Sequence, residues 1–313
     1  MTAMRALLER LIDYAGLFAP AELPMHQAVK EYQALCEGPH AWIAGRFIVP
    51  TSRLGELTNC IPAGAKLPIS AIVDAGPDGR AWFGQAQERI AALAAARTQN
   101  QFVKIEAVEV AVPAPIAARE TFDPAIGQFA MLGHNANLND LPIYVELPRT
   151  PRFEELLPTA MFALARSRLG AKVRCGGLVQ EAFPSSAQIV AFLCAAHEYD
   201  VPFKATAGLH HPIRGIDAHS GLLMHGFVNL LAAVVFVRQG AGAADLESIL
   251  EERDPRAFRI EDEHFAWRDR SAGLSEIQAA RAHAFASYGS CSFSEPIDDL
   301  VALGFLQAAA APA

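Results

Sequence analysis

The chain has 313 residues, 52% of them hydrophobic and 19% charged, with a formal net charge of −8. That apolar content excludes a disordered chain, and an acidic balance without any basic cluster excludes a general nucleic-acid binder. The length exceeds the usual single core but suits one α/β barrel.

Met1 to Leu11 has a few charges and neither a long apolar run nor a cleavage-like site, so no signal peptide is expected. A helix over Met4–Ile12 runs into Asp13-Tyr-Ala-Gly-Leu-Phe18 and is broken by Pro20 and Pro24. A second helix follows near Met25–Leu35. Arg46–Pro50 reads as the first strand and Pro68–Asp74 as the second, closed by Gly76-Pro77. Helix Trp82–Ala96, strand Phe102–Glu109 and a partly helical Ala118–Met131 come next. Strand Pro142–Leu147, helix Phe153–Leu169, strand Ala171–Cys175, helix Ser185–Glu198 and strand Val201–Ala205 complete an alternating series. Such alternation implies a parallel sheet covered by helices. Mostly apolar strands with isolated polar residues suit a closed barrel better than a half-exposed sheet.

After Gly208 the pattern changes. Leu222–Arg238 is an apolar, buried helix, and its apolar core Phe227–Val237 is too short to span a bilayer. Asp245–Glu252 is a short helix, Phe258–Trp267 a hairpin turning near Asp262, and Ser275–Ala286 a helix. Ser290–Phe293 is extended and Glu295-Pro-Ile opens a last helix. The expected fold is therefore α/β, a (β/α)8-like TIM barrel with C-terminal hairpin and helices. Only six strands are evident, so either two are weak or the barrel is distorted. One domain over 1–313 is expected, with an N-terminal helical segment (1–45) and C-terminal elements (240–313) packed on the barrel. The five cysteines are scattered and free of CxxC spacing, which fits a reducing cytoplasm.

Chemistry concentrates in charged residues within the strands. Alternate strand residues face one side, so Lys104 shares a face with Glu106 and Lys172 with Arg174. If these faces point inward near the carboxyl ends, they join Glu146 and Lys204 in one polar pocket, where barrel active sites lie. Otherwise they are ion pairs that plug the barrel floor. A lysine buried beside other cations loses its proton readily and can attack a carbonyl to form a Schiff base. Charged lysines with Arg174 can instead bind a carboxylate or phosphate and stabilise an enolate. The residues alone do not choose.

Gly176-Gly177 and the helix opening at Pro184-Ser185 could cradle an anion, or form an ordinary loop. In His210-His211-Pro212, one histidine could serve as a general base and the other in substrate binding, with Arg214 holding an anion. His225, on the apolar helix, reads as a hydrogen-bonded core residue. The segments Asp13–Phe18 and Tyr288–Phe293 look alike in character. Both combine small residues with polar groups and aromatics, and read as terminal packing or as lids. Cys291 has no histidine beside it in sequence, which gives it little standing as a nucleophile.

Lys172-Val-Arg-Cys-Gly176 and Val201-Pro-Phe-Lys-Ala-Thr-Ala-Gly208 together resemble two strands of the class I aldolases of the deoxyribose-phosphate aldolase type. The resemblance spans Lys172 to Gly208. It implies that Lys172 is a Schiff-base lysine and Lys204 its pKa-lowering neighbour. Val173, Arg174 and Cys175 stand where that family has small hydroxyl residues. The family's acidic proton-relay strand would fall near Lys104-Ile-Glu106. The expected activity is thus that of a lyase on a small anionic carbonyl or phosphorylated compound, with Glu106 or Glu146 moving protons and no cofactor. Two alternatives are a metal-dependent lyase or hydrolase using Glu106, Glu146 and His210, and a non-catalytic protein that binds an anionic ligand. No membrane or nucleic-acid partner is expected, while a homo-oligomer is compatible.

Overall fold

The structure, a computed structural model, describes residues 1–62, 65–99 and 102–308. Eight parallel strands close a barrel: β1 (Ile12–Tyr14), β2 (Ala44–Pro50), β3 (Leu67–Val73), β4 (Val103–Ala111), β5 (Ile143–Glu146), β6 (Gly170–Arg174), β7 (Phe203–Thr206) and β8 (Phe285–Ser290). Neighbours in the ring are neighbours in sequence, and β8 closes on β1.

The six expected strands all form, with small shifts at their ends. The two that escaped the sequence reading are β1 and β8, which lie in or beside the two look-alike terminal segments. Neither has an apolar run, because each turns polar or small residues inward: Asp13 from β1 and Ser287 from β8. The first helix stops at Leu8, Arg10 turns the chain with a positive φ of 50°, and Ile12 already pairs with Tyr288. The expectation of a helix to Ile12 is corrected accordingly. Both terminal segments thus supply a barrel strand.

Helices after each strand cover the barrel, from Met25–Glu37 after β1 to Ser294–Ala302 after β8. Their apolar faces meet the outward residues of the strands, as where Tyr14, Tyr32 and Phe47 pack their rings 5.6–6.0 Å apart. Phe227–Arg238 is buried almost throughout, because helices Ser186–Glu198, Ala243–Glu251 and Leu274–His283 pack around it and the three-stranded sheet of Phe258–Ile260, His264–Trp267 and Arg270–Gly273 adds to the cover. The expected hairpin therefore carries a third strand. No helix among the described residues is long and apolar enough to cross a membrane.

Three irregularities interrupt the ladder, and one decides the interior. Between β3 and β4, Ile69 pairs with Ile105 but Ser70 with Ala107, so Glu106 is an extra residue. A bulge of this kind reverses which residues face inward beyond it. Lys104 and Glu106 share a face below the bulge. Above it Glu109, which plain alternation would turn outward, points in.

The glycines that end β6 and the loop after β7 let these chains touch. A Cβ on Gly208 would lie 2.7 Å from both the Cys175 carbonyl oxygen and Gly176 Cα, and its φ is +67°. Gly208→Ala is expected to cost about 2–4 kcal/mol, from the unfavourable φ together with overpacking. Gly221→Ala, with φ +72° but open space around it, should cost only about 1–2 kcal/mol. Urea midpoints of the two variants measure the difference, and equal costs would remove the close-approach explanation.

Candidate active site

Inward-facing side chains build a polar column through the barrel. At its centre Lys204 of β7, fully buried, donates to Asp13 Oδ2 (2.5 Å), Glu109 Oε1 (2.5 Å) and Ser70 Oγ (3.3 Å). Its three protons therefore all have acceptors. Ser287 donates to Asp13 Oδ2 (2.7 Å), Ser70 donates to Glu109 Oε1 (2.5 Å), and the Arg46 amide donates to Asp13 Oδ1 (2.7 Å). The Tyr144 ring lies 5.7 Å from the Lys204 ammonium.

Lys172 occupies the next position around the ring, in register with Lys204 on one side and Glu146 on the other. Its Nζ lies 2.6 Å from Glu109 Oε2 and 3.0 Å from Glu146 Oε2. The contact with Glu109 is a close, buried ion pair. Arg174, two residues on and half exposed, donates from Nε to Glu146 Oε1 at 3.0 Å. Glu109 thus bridges the two lysines, and Lys172 is the one nearer the carboxyl-terminal mouth. Lys172 keeps 5% exposure whereas Lys204 has none.

Burial disfavours every charge here, but the opposite charges outweigh it. Asp13, Glu109 and Glu146 are held below the usual carboxylate range, and Lys172 and Lys204 above the usual amine value. The expectation that Lys204 lowers the pKa of Lys172 is corrected on this point. A carboxylate lies between the two amines, and both stay protonated.

The sequence-nominated residues divide into groups. Lys172, Lys204, Glu146 and Arg174 come together as expected. Lys104 and Glu106 do not join them. They pair with each other at 2.8 Å near the start of β4, where Arg10 and Arg46 also meet Glu106, and the Lys104 side chain is largely exposed. This is the amino-terminal mouth, so Glu106, Glu146 and His210 lie at different levels and do not form one ligand set. Arg214 turns away from the column and donates to His225 Nδ1 (2.8 Å), whose Nε2 donates to the Pro184 carbonyl (2.8 Å). His225 is a buried residue with both nitrogens engaged, and burial lowers its pKa to about 4. Ser185 caps its own helix through Gln188, and Gly176 is spent on the contact with Gly208. Gly177 has no room for a Cβ, which would meet Ala182 at 2.7 Å. The expected anion cradle is thus largely occupied by the chain itself.

His210 and His211 lie past the end of β7. His210 Nδ1 is 2.7 Å from Glu295 Oε2, and its Nε2 is 3.7 Å from Cys291 Sγ. His211 spans Asp299 (2.6 Å) and Asp217 (3.2 Å). His211, Asp217 and Glu295 approach within 4.8 Å of one another, but both nitrogens of His211 and the Glu295 carboxylate already have partners within the chain.

Sequence reasoning missed Asp13, Ser70, Glu109 and Ser287. For Glu109 the obstacle is the bulge, which no alternation pattern signals. For Asp13 the available sign was an acid between Ile12 and Tyr14, an unfavourable place unless it is paired.

Fold and column together define a (β/α)8 barrel with a buried lysine–carboxylate centre. No protein-family model matches the sequence, nor does any curated protein sequence. Among solved structures the chain is similar to "QR15, an Aldolase", with 11% identity and a TM-score of 0.48 over 66% of this chain and 83% of that one. It is also similar to the deoxyribose phosphate aldolase from Aeropyrum pernix, described as a unique tetrameric structure. There the identity is 12% and the TM-score 0.46, over 67% of this chain and 85% of that one. At these identities the likeness is one of fold.

Proposed function

We propose that the chain is an enzyme of the aldolase or lyase kind, acting on a small anionic carbonyl compound at the carboxyl-terminal mouth of the barrel. The observation that carries this reading is the Lys172–Glu109–Lys204 bridge, which places two buried amines around one carboxylate. Lys172 is the nucleophile, having the residual access that Lys204 lacks. Arg174, half exposed beside it, takes the carboxylate or phosphate of the substrate. Drawing Arg174 from Glu146 makes that carboxylate more basic, and Glu146 then accepts a proton from Lys172. The neutral amine adds to the carbonyl carbon, and one proton passes from its nitrogen to the alkoxide so formed, giving a carbinolamine. Glu146 returns the proton to the departing hydroxyl as water leaves, and Glu109 balances the resulting iminium charge. Lys204 holds Glu109 and Asp13 in place as a positioning residue.

A second reading has its own support, since the carboxylates hold both lysines charged. In it Lys172 stays an ammonium and stabilises an enolate without covalent attachment.

Borohydride reduction tests both. Incubation with a panel of phosphorylated and carboxylated aldehydes and keto acids, then reduction, is expected to add one substrate mass to a peptide containing Lys172. Lys172→Met should abolish the adduct. Turnover or α-proton exchange without any adduct would replace the first reading by the second, and the absence of all three would end both.

A further inference from the structure

β7 and β8 are parallel neighbours, so their carboxyl ends emerge side by side at the mouth. There Cys291, the first residue after β8, meets His210 from the loop after β7, and Glu295 in the first turn of helix Ser294–Ala302 meets the other side of the same imidazole. We propose that Cys291, His210 and Glu295 form a second catalytic centre, independent of the lysine reading, in which the thiol attacks the carbonyl carbon of a small activated acyl compound, an ester or thioester.

The order thiol, imidazole, carboxylate is that of a nucleophile, its base and the group that orients the base. Glu295 Oε2, 2.7 Å from Nδ1, holds the proton on that nitrogen and leaves Nε2 free to accept from the sulfur 3.7 Å away. Burial opposes a charge on His210, yet the sulfur and the carboxylate raise its pKa to about 9, which makes the imidazole a stronger base toward the thiol proton. The His210 side chain is only 15% exposed and that of Glu295 36%, so the group is shielded but reachable. The Tyr288 hydroxyl is fully buried, has no hydrogen bond among the described residues, and feels the charge of Glu295. Among the described residues no other cysteine has a histidine against its sulfur. Cys175 is fully enclosed, and burial pushes its thiol up to about 12.

In the reaction the thiol proton passes to His210 Nε2 as the S–C bond forms. The tetrahedral intermediate collapses, the bond to the alcohol or thiol breaks, and the leaving group takes the proton from His210. Water, deprotonated by His210, then cleaves the S-acyl bond. It releases a carboxylic acid and restores the thiol.

p-Nitrophenyl acetate is the probe. The expected result is a burst of nitrophenolate equal to the protein present, with an acetyl group mapped by peptide mass to Cys291. Cys291→Ala removes the burst, and His210→Gln slows it at least ~10²-fold. Glu295→Gln slows it less, since the imidazole remains but is less well oriented. Acetylation elsewhere, or an unchanged burst in His210→Gln, overturns the proposal. A test that needs no variant uses limiting iodoacetamide on the intact chain. Cys291 should be labelled before Cys36, although Cys36 is the more exposed. Labelling of Cys291 no faster than Cys36 overturns it equally.

Discussion

Lys204→Met is expected to lower stability by about 3–5 kcal/mol, the loss typical when one partner of a buried ion pair is removed. At roughly 2–4 °C per kcal/mol for a chain approaching this size, the melting temperature falls by about 10 °C. The reason lies in what remains. Asp13 and Glu109 both sit within 2.5 Å of the Lys204 ammonium, and neither is exposed to water. Without that cation Asp13 keeps Arg46, whose guanidinium is no nearer than 3.7 Å, and Ser287. Glu109 keeps Lys172 and Ser70. A buried carboxylate deprived of its closest counter-charge must bear the desolvation cost or take up a proton. Adding Asp13→Asn should therefore recover part of the loss, and the double-mutant cycle gives the coupling. A cost below ~1 kcal/mol for Lys204→Met, measured by urea unfolding, would mean that water reaches the barrel interior.

Glu109→Gln is expected to cost a similar amount at neutral pH and to flatten the acid side of the stability curve. Glu109 is held below its ordinary value of 4.5 by Lys172 and Lys204, despite burial acting the other way. A carboxylate depressed in the folded state contributes stability that is fully present above its unfolded pKa. That stability is lost as pH falls toward the folded value. The wild-type urea midpoint should therefore drop steeply below about pH 5, whereas the variant, lacking this titration, drops less. Asp13 and Glu146 are depressed in the same sense and keep some acid sensitivity in the variant. The two lysines act oppositely. Being raised above 10.5, they contribute below that pH and the contribution is lost as pH rises through their folded values. Parallel acid limbs for the two proteins would remove Glu109 from the account.

Much of this molecule was legible as a pattern of local periods. Apolar strands such as Phe47–Val49 and Ile69–Val73, alternating with helices of ordinary length, announce a parallel sheet, because each element buries one face by itself. Lys172 and Lys204 were legible for the opposite reason, since a cation inside an apolar strand needs a partner wherever that strand goes. β1 was not, because three residues centred on an aspartate are too few to show a period. Nor was β8, whose Ser287 and Gly289 look like loop residues until the barrel closes around them.

The sequence by itself determined the class of fold, the strands that hold the amines, and the charge that must be matched inside. Only the tertiary structure decided the matching. The bulge at Glu106 reverses the inward face of β4 and brings Glu109 between two lysines from strands far along the chain. Closure of β8 beside β7 brings Cys291 to a histidine 81 residues away. Both follow from contacts between distant segments, and a local period carries no record of those.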